Sequence, residues 1–234
     1  MVDTTNSRSL SPAREDYLKA LYHLEGDSRR VPTTELARSL EVRKPSITAM
    51  LRRLHDDGLV AWEPRGGAQL TRRGRTATMR VLRRHRLVET FLVEVLGLDW
   101  SDVHDEAEVL EHHLSDRMVE AIDRVLGHPT EDPHGSPIPS TTGSLAARDL
   151  VPLASLGTGE AAIVRKVDGR YRKRLLRWKE LGLVPGARLE MGEKRDDEGI
   201  LKVRIDDVDV LTGGRGVEGI WVERRAPEAS EPGT

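Results

Sequence analysis

The chain has 234 residues, of which 37% are hydrophobic and 32% are charged, and its formal net charge is −2. This length allows two or three domains. The absence of cysteine excludes disulfide frameworks and thiolate metal sites, and it is typical of the reducing cytoplasm. No stretch approaches the roughly 18 apolar residues of a membrane-spanning helix, and the polar N-terminus lacks a signal-peptide segment. We therefore expect a cytoplasmic protein with no membrane partner.

The small net charge conceals a strong segregation of charge along the sequence. Residues 72–86 contain seven arginines and no acidic residue, and residues 43–53 contain four basic residues and again no acid. Residues 101–123 contain eight aspartates or glutamates and one arginine. The basic N-terminal third indicates a polyanionic partner, whereas the acidic segment indicates a bound cation or a partner surface.

The first third of the chain has the element order of a winged helix-turn-helix. After a disordered arm at residues 1–9, Ser11 and Pro12 begin a first helix. A second helix fits residues 34–40, and a third follows the turn at Glu41 and ends near Gly58. Short strands at residues 59–62 and 68–70 then form the wing. We assign residues 10–75 to this DNA-binding domain.

The third helix is the candidate for the DNA major groove, because polar and basic side chains lie away from its apolar stripe. Arg65 at the tip of the wing is a further candidate contact. The alternative is an ordinary solvated face on a small helical domain. The candidate DNA-binding residues are Arg43, Lys44, Pro45, Ser46, Thr48, Ala49, Arg52, Arg53 and Arg65.

The remainder of the chain predicts a helical domain followed by a small barrel. A long helix starts after Thr71 and runs to about Leu96, and shorter helices fit residues from about 101 to 114 and from 115 to 126. We assign residues 76–140 to this helical domain, 141–149 to a linker, 150–224 to the barrel and 225–234 to a disordered tail. Short apolar runs separated by turns predict the barrel, with one helix at about 172–181. The fold class is therefore mainly α with a small β domain.

The acidic segment carries a pattern that suits a metal ion. In a helix, Glu108, Glu111 and His112 stand at i, i+3 and i+4 and point to one side, with His104 one turn earlier. Carboxylates with an imidazole suit a hard or borderline divalent cation such as Mn²⁺ or Fe²⁺. The alternative is an acidic solvated helix face.

Four segments together carry a resemblance to a known family. They are Arg14–Leu18 (REDYL), Arg84–Glu89 (RHRLVE), His104–His112 (HDEAEVLEH) and His134–Pro139 (HGSPIP). The chain resembles the diphtheria-toxin-repressor family of metal-dependent regulators, and within it the manganese-responsive branch. The resemblance implies a winged helix-turn-helix, a helical dimerisation domain and an SH3-like (FeoA-like) C-terminal barrel.

The resemblance also implies two metal sites. The regulatory site would comprise Asp16, Glu108, Glu111 and His112. The ancillary site would comprise His85, Glu89 and His104, with Asp132 and His134 as rival or additional ligands. Iron-responsive relatives carry Met and Cys where this chain has Asp16 and Glu108, and exchanging sulfur for oxygen favours Mn²⁺. Lys19 stands where compact two-manganese relatives use Glu, so this chain departs from their paired-ion arrangement at that position.

The implied function is a homodimeric, Mn²⁺-dependent regulator of double-stranded operator DNA that represses metal-uptake genes. The apolar faces of residues 101–126 would form its two-fold interface. An Fe²⁺-responsive regulator of the same family is the alternative. Outside the family, a metal-independent winged-helix regulator and a metallohydrolase remain open, although the chain lacks a nucleophile elbow, an HExxH motif and a phosphate loop. We therefore expect no enzymatic activity.

Overall fold

The computed structural model describes residues 10–25, 29–195, 200–206 and 208–225. The predicted arm at residues 1–9 lies outside the described residues, as does nearly all of the predicted tail. The chain folds as two units. The first contains residues 1–85, 109–116 and 139–144, and the second contains residues 86–108, 117–138 and 145–234.

The N-terminal part of the first unit is a winged helix-turn-helix, which confirms the predicted element order. Three helices precede a two-stranded antiparallel wing in which Val60 pairs with Leu70. The elements are α1 (Pro12–Glu25), α2 (Thr33–Ser39), α3 (Lys44–Asp56), β1 (Val60–Glu63) and β2 (Gly67–Leu70).

One apolar core holds these helices and the wing together. Ile47, Leu51 and Leu54 line one face of α3 and are completely buried. They belong to the same core cluster as Leu18 and Leu21 of α1. Because the helical period of 3.6 places these residues on one side, the polar side of α3 remains at the surface.

A buried carboxylate fixes the wing to the end of α1. Glu25 is fully buried, and its Oε2 accepts a hydrogen bond from the backbone N–H of Leu70 at 3.2 Å. Its other oxygen pairs with Arg75. A single acidic side chain therefore satisfies a strand donor and a guanidinium from distant parts of the sequence.

Three helices follow the wing: α4 (Arg72–Glu94), α5 (Val103–Leu110) and α6 (Asp116–Val125). Gly97, with φ of 70°, lies in the left-handed turn that follows α4, where the sequence predicted the stop. The predicted helix at 101–114 is wrong at both ends. Residues 111–113 form a turn, in which the N–H of His113 bonds to the carbonyl of Leu110. Glu111 and His112 therefore lie beyond the helix.

The second unit contains the C-terminal barrel, a six-stranded antiparallel sheet with the order β3-β8-β4-β5-β6-β7. Its core surrounds Trp178, whose indole N–H bonds to the carbonyl of Gly216 at 2.7 Å. The elements are β3 (Val151–Pro152), β4 (Ala161–Val167), α7 (Arg172–Glu180), β5 (Arg188–Arg195), β6 (Ile200–Ile205), β7 (Val208–Gly213) and β8 (Ile220–Arg224). This arrangement confirms the predicted SH3-like barrel.

Within the part of the chain that the structure describes, no helix has the length and apolar character needed to cross a membrane.

We expect Gly74→Ala to destabilise the winged helix. Alanine normally stabilises a helix interior by about 1 kcal/mol relative to glycine. Here, however, an added Cβ would lie 1.9 Å from the backbone oxygen of Leu59. Overpacking of this kind costs about 1–3 kcal/mol. Thermal unfolding followed by circular dichroism should show a lower Tm than wild type, with Thr76→Ala on the exposed side of α4 as the control. An equal or higher Tm would contradict the packing described here.

Candidate metal centres and nucleic-acid interface

Asp16, Glu111 and His112 form a cluster in the first unit, which we call the first cluster. Asp16 lies in the second turn of α1, and the other two lie in the turn that follows α5. One ligand atom from each residue lies within 4.8 Å of the others. Two carboxylates and one imidazole contain no sulfur, and this donor set fits a hard or borderline divalent cation.

Both ring nitrogens of His112 face carboxylate oxygens. Nδ1 lies 2.8 Å from Glu15 Oε2, and Nε2 lies 3.0 Å from Asp16 Oδ1. A neutral imidazole carries only one N–H and therefore cannot donate to both carboxylates. If Nδ1 donates to Glu15, the lone pair of Nε2 faces Asp16, which is the orientation that a cation shared by the two side chains would use.

Glu15 orients the His112 ring. Its side chain is buried, and its second oxygen accepts a hydrogen bond from Arg84 at 2.6 Å. The carboxylate is therefore fixed on one side by a guanidinium and on the other by the imidazole. Partners of this kind set the tautomer and the orientation of a metal-binding histidine.

Glu111 is the most enclosed member of the first cluster, because its side chain has no solvent exposure. Lys19 Nζ donates to Oε1 at 2.6 Å, and His85 Nδ1 donates to Oε2 at 2.6 Å. Burial by itself raises the pKa of the Glu111 carboxyl. The hydrogen bond from His85 and the charge of Lys19 outweigh burial and hold that pKa below its ordinary value.

Glu108, predicted as a fourth member of the regulatory site, belongs to the second unit. Its Oε1 lies 3.7 Å from His104 Nε2, one helical turn earlier on α5. His104 in turn places Nδ1 3.2 Å from Glu89 Oε1. Glu89 and His104 of the predicted ancillary site therefore lie together in the second unit. His85, the third predicted member, belongs to the first unit, where it pairs with Glu111.

A second cluster in the second unit consists of Glu89, Asp132 and His134, all three buried. His134 Nε2 donates to the carbonyl of Trp100 at 2.8 Å. This bond leaves Nδ1 as the unprotonated nitrogen of the neutral ring, 3.7 Å from Glu89 Oε2. The ring is therefore oriented so that its lone pair faces a carboxylate.

The loop of the second cluster is built around Asp132. Its Oδ1 accepts hydrogen bonds from the backbone N–H groups of His134 and Ser136, each at 2.9 Å. The carbonyl of His134 accepts a hydrogen bond from Val167 N of strand β4 at 2.9 Å. The loop is therefore fixed both by its own carboxylate and by the barrel.

Buried acidic groups dominate the electrostatics of the second cluster. Burial raises the pKa of Asp132, and the nearby charge of Glu89 raises it further against the opposing effect of Arg86. For His134, burial lowers the pKa, but Glu89 and Asp132 together raise it above the ordinary value. Both shifts indicate an environment that stabilises an additional positive charge.

The predicted DNA-reading residues lie on the solvent side of α3 and on the wing. Arg65, at the wing tip, has φ of 70°. Thr48 is half-buried, and its hydroxyl bonds to the carbonyl of Lys44 at 3.2 Å, while the other predicted contacts are exposed. Within the described residues, no carboxylate forms an ion pair with the basic members, namely Arg43, Lys44, Arg52, Arg53 and Arg65. These cations are therefore available to phosphate groups.

Sequence reasoning missed the partners that orient the candidate ligands. Glu15 stands three residues before Leu18 and therefore on the buried face of α1, which was a detectable signal. The ion pair between Lys19 and Glu111 spans 92 positions, and the Trp100 carbonyl lies 34 positions from His134. No local pattern indicates such distant contacts.

Three family models match the chain. The iron dependent repressor N-terminal DNA binding domain matches residues 9–68, and the iron dependent repressor metal binding and dimerisation domain matches residues 71–140. The FeoA domain matches residues 151–224. The matched segments follow one another along nearly the whole chain.

Individual proteins and structures agree with these matches. The iron-dependent repressor IdeR of Mycobacterium leprae is 33% identical over 201 residues, which cover 81% of this chain and 84% of that protein. A solved manganese-dependent transcriptional repressor in complex with manganese has a TM-score of 0.84 at 36% identity, covering 91% of this chain and 100% of that one. The structure of ScaR with bound Zn²⁺ has a TM-score of 0.79 at 30% identity, covering 91% and 99%.

The winged helix, the helical segment and the barrel thus each match a domain of one family, in the same order and over most of the length of its members. The chain belongs to the diphtheria-toxin-repressor family of metal-dependent DNA-binding transcriptional repressors, which are regulators and not enzymes.

Proposed function

We propose that this protein is a Mn²⁺-dependent repressor that binds operator DNA as a homodimer in the cytoplasm and represses metal-uptake genes when loaded with metal. The first cluster is the regulatory site in this proposal, with Glu108 as a further ligand implied by the family resemblance. The geometry of the first cluster carries the proposal, because Asp16, Glu111 and His112 each place one ligand atom within 4.8 Å of the others.

The donor atoms favour Mn²⁺ over Fe²⁺. The first cluster offers carboxylate oxygens and one imidazole nitrogen as ligand atoms. The sequence contains no cysteine, so methionine is its only sulfur-containing residue. Oxygen-rich sites suit Mn²⁺, although intrinsic affinity rises towards the later transition metals. The Fe²⁺-responsive alternative has support from the similarity to the mycobacterial iron-dependent repressor.

We assign the second cluster as a second metal site. Glu89 is central to it, because its two oxygens face His104 and His134 respectively. Asp132 completes a buried group of two carboxylates with an imidazole. His85 remains a candidate ligand on the basis of the resemblance.

The proposed mechanism depends on the position of Asp16. This residue belongs to α1, which shares its apolar core with the recognition helix α3. Binding of Asp16, Glu111 and His112 to one cation would fix α1 against the turn at residues 111–113. In a homodimer, this constraint would set the spacing of two recognition helices to match two half-sites about one helical turn apart or a multiple of it.

Exposed apolar residues of the second unit support the homodimer. Val95, Leu96, Met118 and Val125 are all large and exposed. We propose that these residues contribute to the two-fold interface of the homodimer. Metal would then shift the population towards the DNA-binding arrangement, and DNA would tighten metal binding by the same factor.

Fluorescence anisotropy on a candidate promoter tests the proposal directly. Mn²⁺, anaerobic Fe²⁺ and Zn²⁺ should be titrated separately against a chelated control. Binding that requires metal and begins at the lowest concentration with Mn²⁺ supports the proposal, whereas a lower threshold for Fe²⁺ supports the alternative. Equal binding in excess chelator would eliminate metal dependence altogether.

Alanine at His112 should abolish metal-dependent DNA binding while leaving the fold intact, because it removes the imidazole between Glu15 and Asp16. His113→Ala is the matched control, since its exposed side chain lies next in sequence. Glu108→Ala should resemble His112→Ala. Circular dichroism checks the fold, and anisotropy with Mn²⁺ measures binding. Metal-responsive binding retained by both Glu108→Ala and His112→Ala would refute the site.

Activation by Mn²⁺ should weaken as the pH falls from about 8 to about 6, because protons compete with metal for imidazole ligands. The lowered pKa of Glu111 keeps its carboxylate ionised throughout this range. Protonation of Glu111 is therefore not the expected cause of the loss. Anisotropy titrations at constant ionic strength should show a rising Mn²⁺ midpoint, and a midpoint independent of pH would contradict imidazole ligation.

Gly169→Ala should remove one Mn²⁺ equivalent by displacing His134. An added Cβ would lie 2.7 Å from His134 Nδ1, the nitrogen that faces Glu89, so the buried ring would have to shift. Gly157→Ala is the control, because its nearest neighbour would lie at an ordinary 3.6 Å. Isothermal titration calorimetry should count two equivalents in the control and one in Gly169→Ala. Two equivalents in both variants would exclude His134 as a ligand.

A further inference from the structure

Lys19 places an ammonium group inside the first cluster. Its side chain is 8% exposed and that of Glu111 is fully buried. Lys19 Nζ lies 2.6 Å from Glu111 Oε1. This arrangement is a buried ion pair in which each charge compensates the other.

The ammonium is bound to the carboxylate oxygen that faces His112. Glu111 Oε1 lies 3.4 Å from His112 Nε2, and the same His112 nitrogen lies 3.0 Å from Asp16 Oδ1. The other Glu111 oxygen, Oε2, is engaged by His85. A cation shared by Asp16, Glu111 and His112 would therefore coordinate the oxygen that Lys19 already holds, or take Oε2 from His85.

We propose that Lys19 is a tethered cation that competes with divalent metal for Glu111 and thereby sets the metal concentration at which the protein responds. The inference rests on the proposed metal site at the first cluster and adds a residue that determines the affinity of that site. Lys19 stabilises the buried Glu111 carboxylate while metal is absent. When metal arrives, the ammonium must move away from Oε1 or remain close to a second positive charge.

The physical consequence is an affinity penalty. A fixed positive charge a few ångströms from a divalent ion opposes binding, and partial burial strengthens that repulsion. A neutral side chain at position 19 would remove the penalty. It would also leave Glu111 as an uncompensated buried carboxylate, which binds an incoming cation more strongly.

Substitution at position 19 tests the inference. We expect Lys19→Met, which keeps an unbranched stem, to bind Mn²⁺ at least about tenfold more tightly than wild type. Its metal-free form should have a lower Tm, and saturating Mn²⁺ should restore most of the loss. Lys19→Arg retains the charge and should stay close to the wild-type affinity.

Calorimetric titration with MnCl₂ and thermal unfolding provide the two measurements. Lys19→Gln serves as a second neutral variant in case Lys19→Met does not fold. Its amide can still donate a hydrogen bond to Glu111. Unchanged or weaker Mn²⁺ binding in the folded neutral variant would overturn the role of Lys19. That result would mean that Lys19 only stabilises the fold through its ion pair with Glu111, or that it orients Glu111 for metal.

His112→Ala separates this outcome from failure of the proposed function. If wild type and His112→Ala bind the same number of Mn²⁺ ions with the same affinities, the first cluster is not a metal site and the proposed function fails. If wild type binds one more ion than His112→Ala, the site is real. The comparison of Lys19→Met or Lys19→Gln with wild type then decides the role of Lys19 alone.

Discussion

A single buried carboxylate, that of Glu111, constrains the candidate regulatory site. A carboxylate without solvent contact is stable only when cations or hydrogen-bond donors surround it. Lys19 and His85 supply them here, one at each oxygen. The turn at residues 111–113 is thereby joined to α1 and α4 even without metal. A divalent ion entering the first cluster must rearrange existing electrostatic contacts, and the response of the protein depends on the free energy of that exchange.

Both candidate clusters orient a histidine in the same way. In the first, the Glu15 carboxylate engages Nδ1 of His112, while in the second the Trp100 carbonyl accepts from Nε2 of His134. In each case the opposite nitrogen faces an acidic side chain, Asp16 or Glu89. Orientation by an outer partner fixes the lone pair before any cation arrives. The entropy of orienting these two imidazole rings is therefore lost during folding and not during metal binding.

Much of the fold was predictable because local signals agree with the tertiary structure. The apolar stripe of α3, the glycine after it and the short alternating strands each indicate an element, and together they predict the wing and the barrel. The end of α5 was not predictable from periodicity, since the 3.6-residue pattern continues through Glu111 and His112 where the helix has already ended. The partners of these residues are distant in sequence, and the pairing of Lys19 with Glu111 depends on how α1 and the turn pack. Composition and spacing identify candidate ligands, but they do not show which charged side chains already form ion pairs with those ligands.

Thermodynamic linkage between metal and DNA tests the central claim most directly. The affinity of the protein for Mn²⁺ should be measured calorimetrically in the absence and in the presence of saturating operator duplex. If the first cluster controls the position of the recognition helices, DNA must tighten Mn²⁺ binding by the same factor by which Mn²⁺ tightens DNA binding. Equal Mn²⁺ affinities with and without DNA would contradict the account, because the bound ion would then have no influence on the DNA-binding conformation.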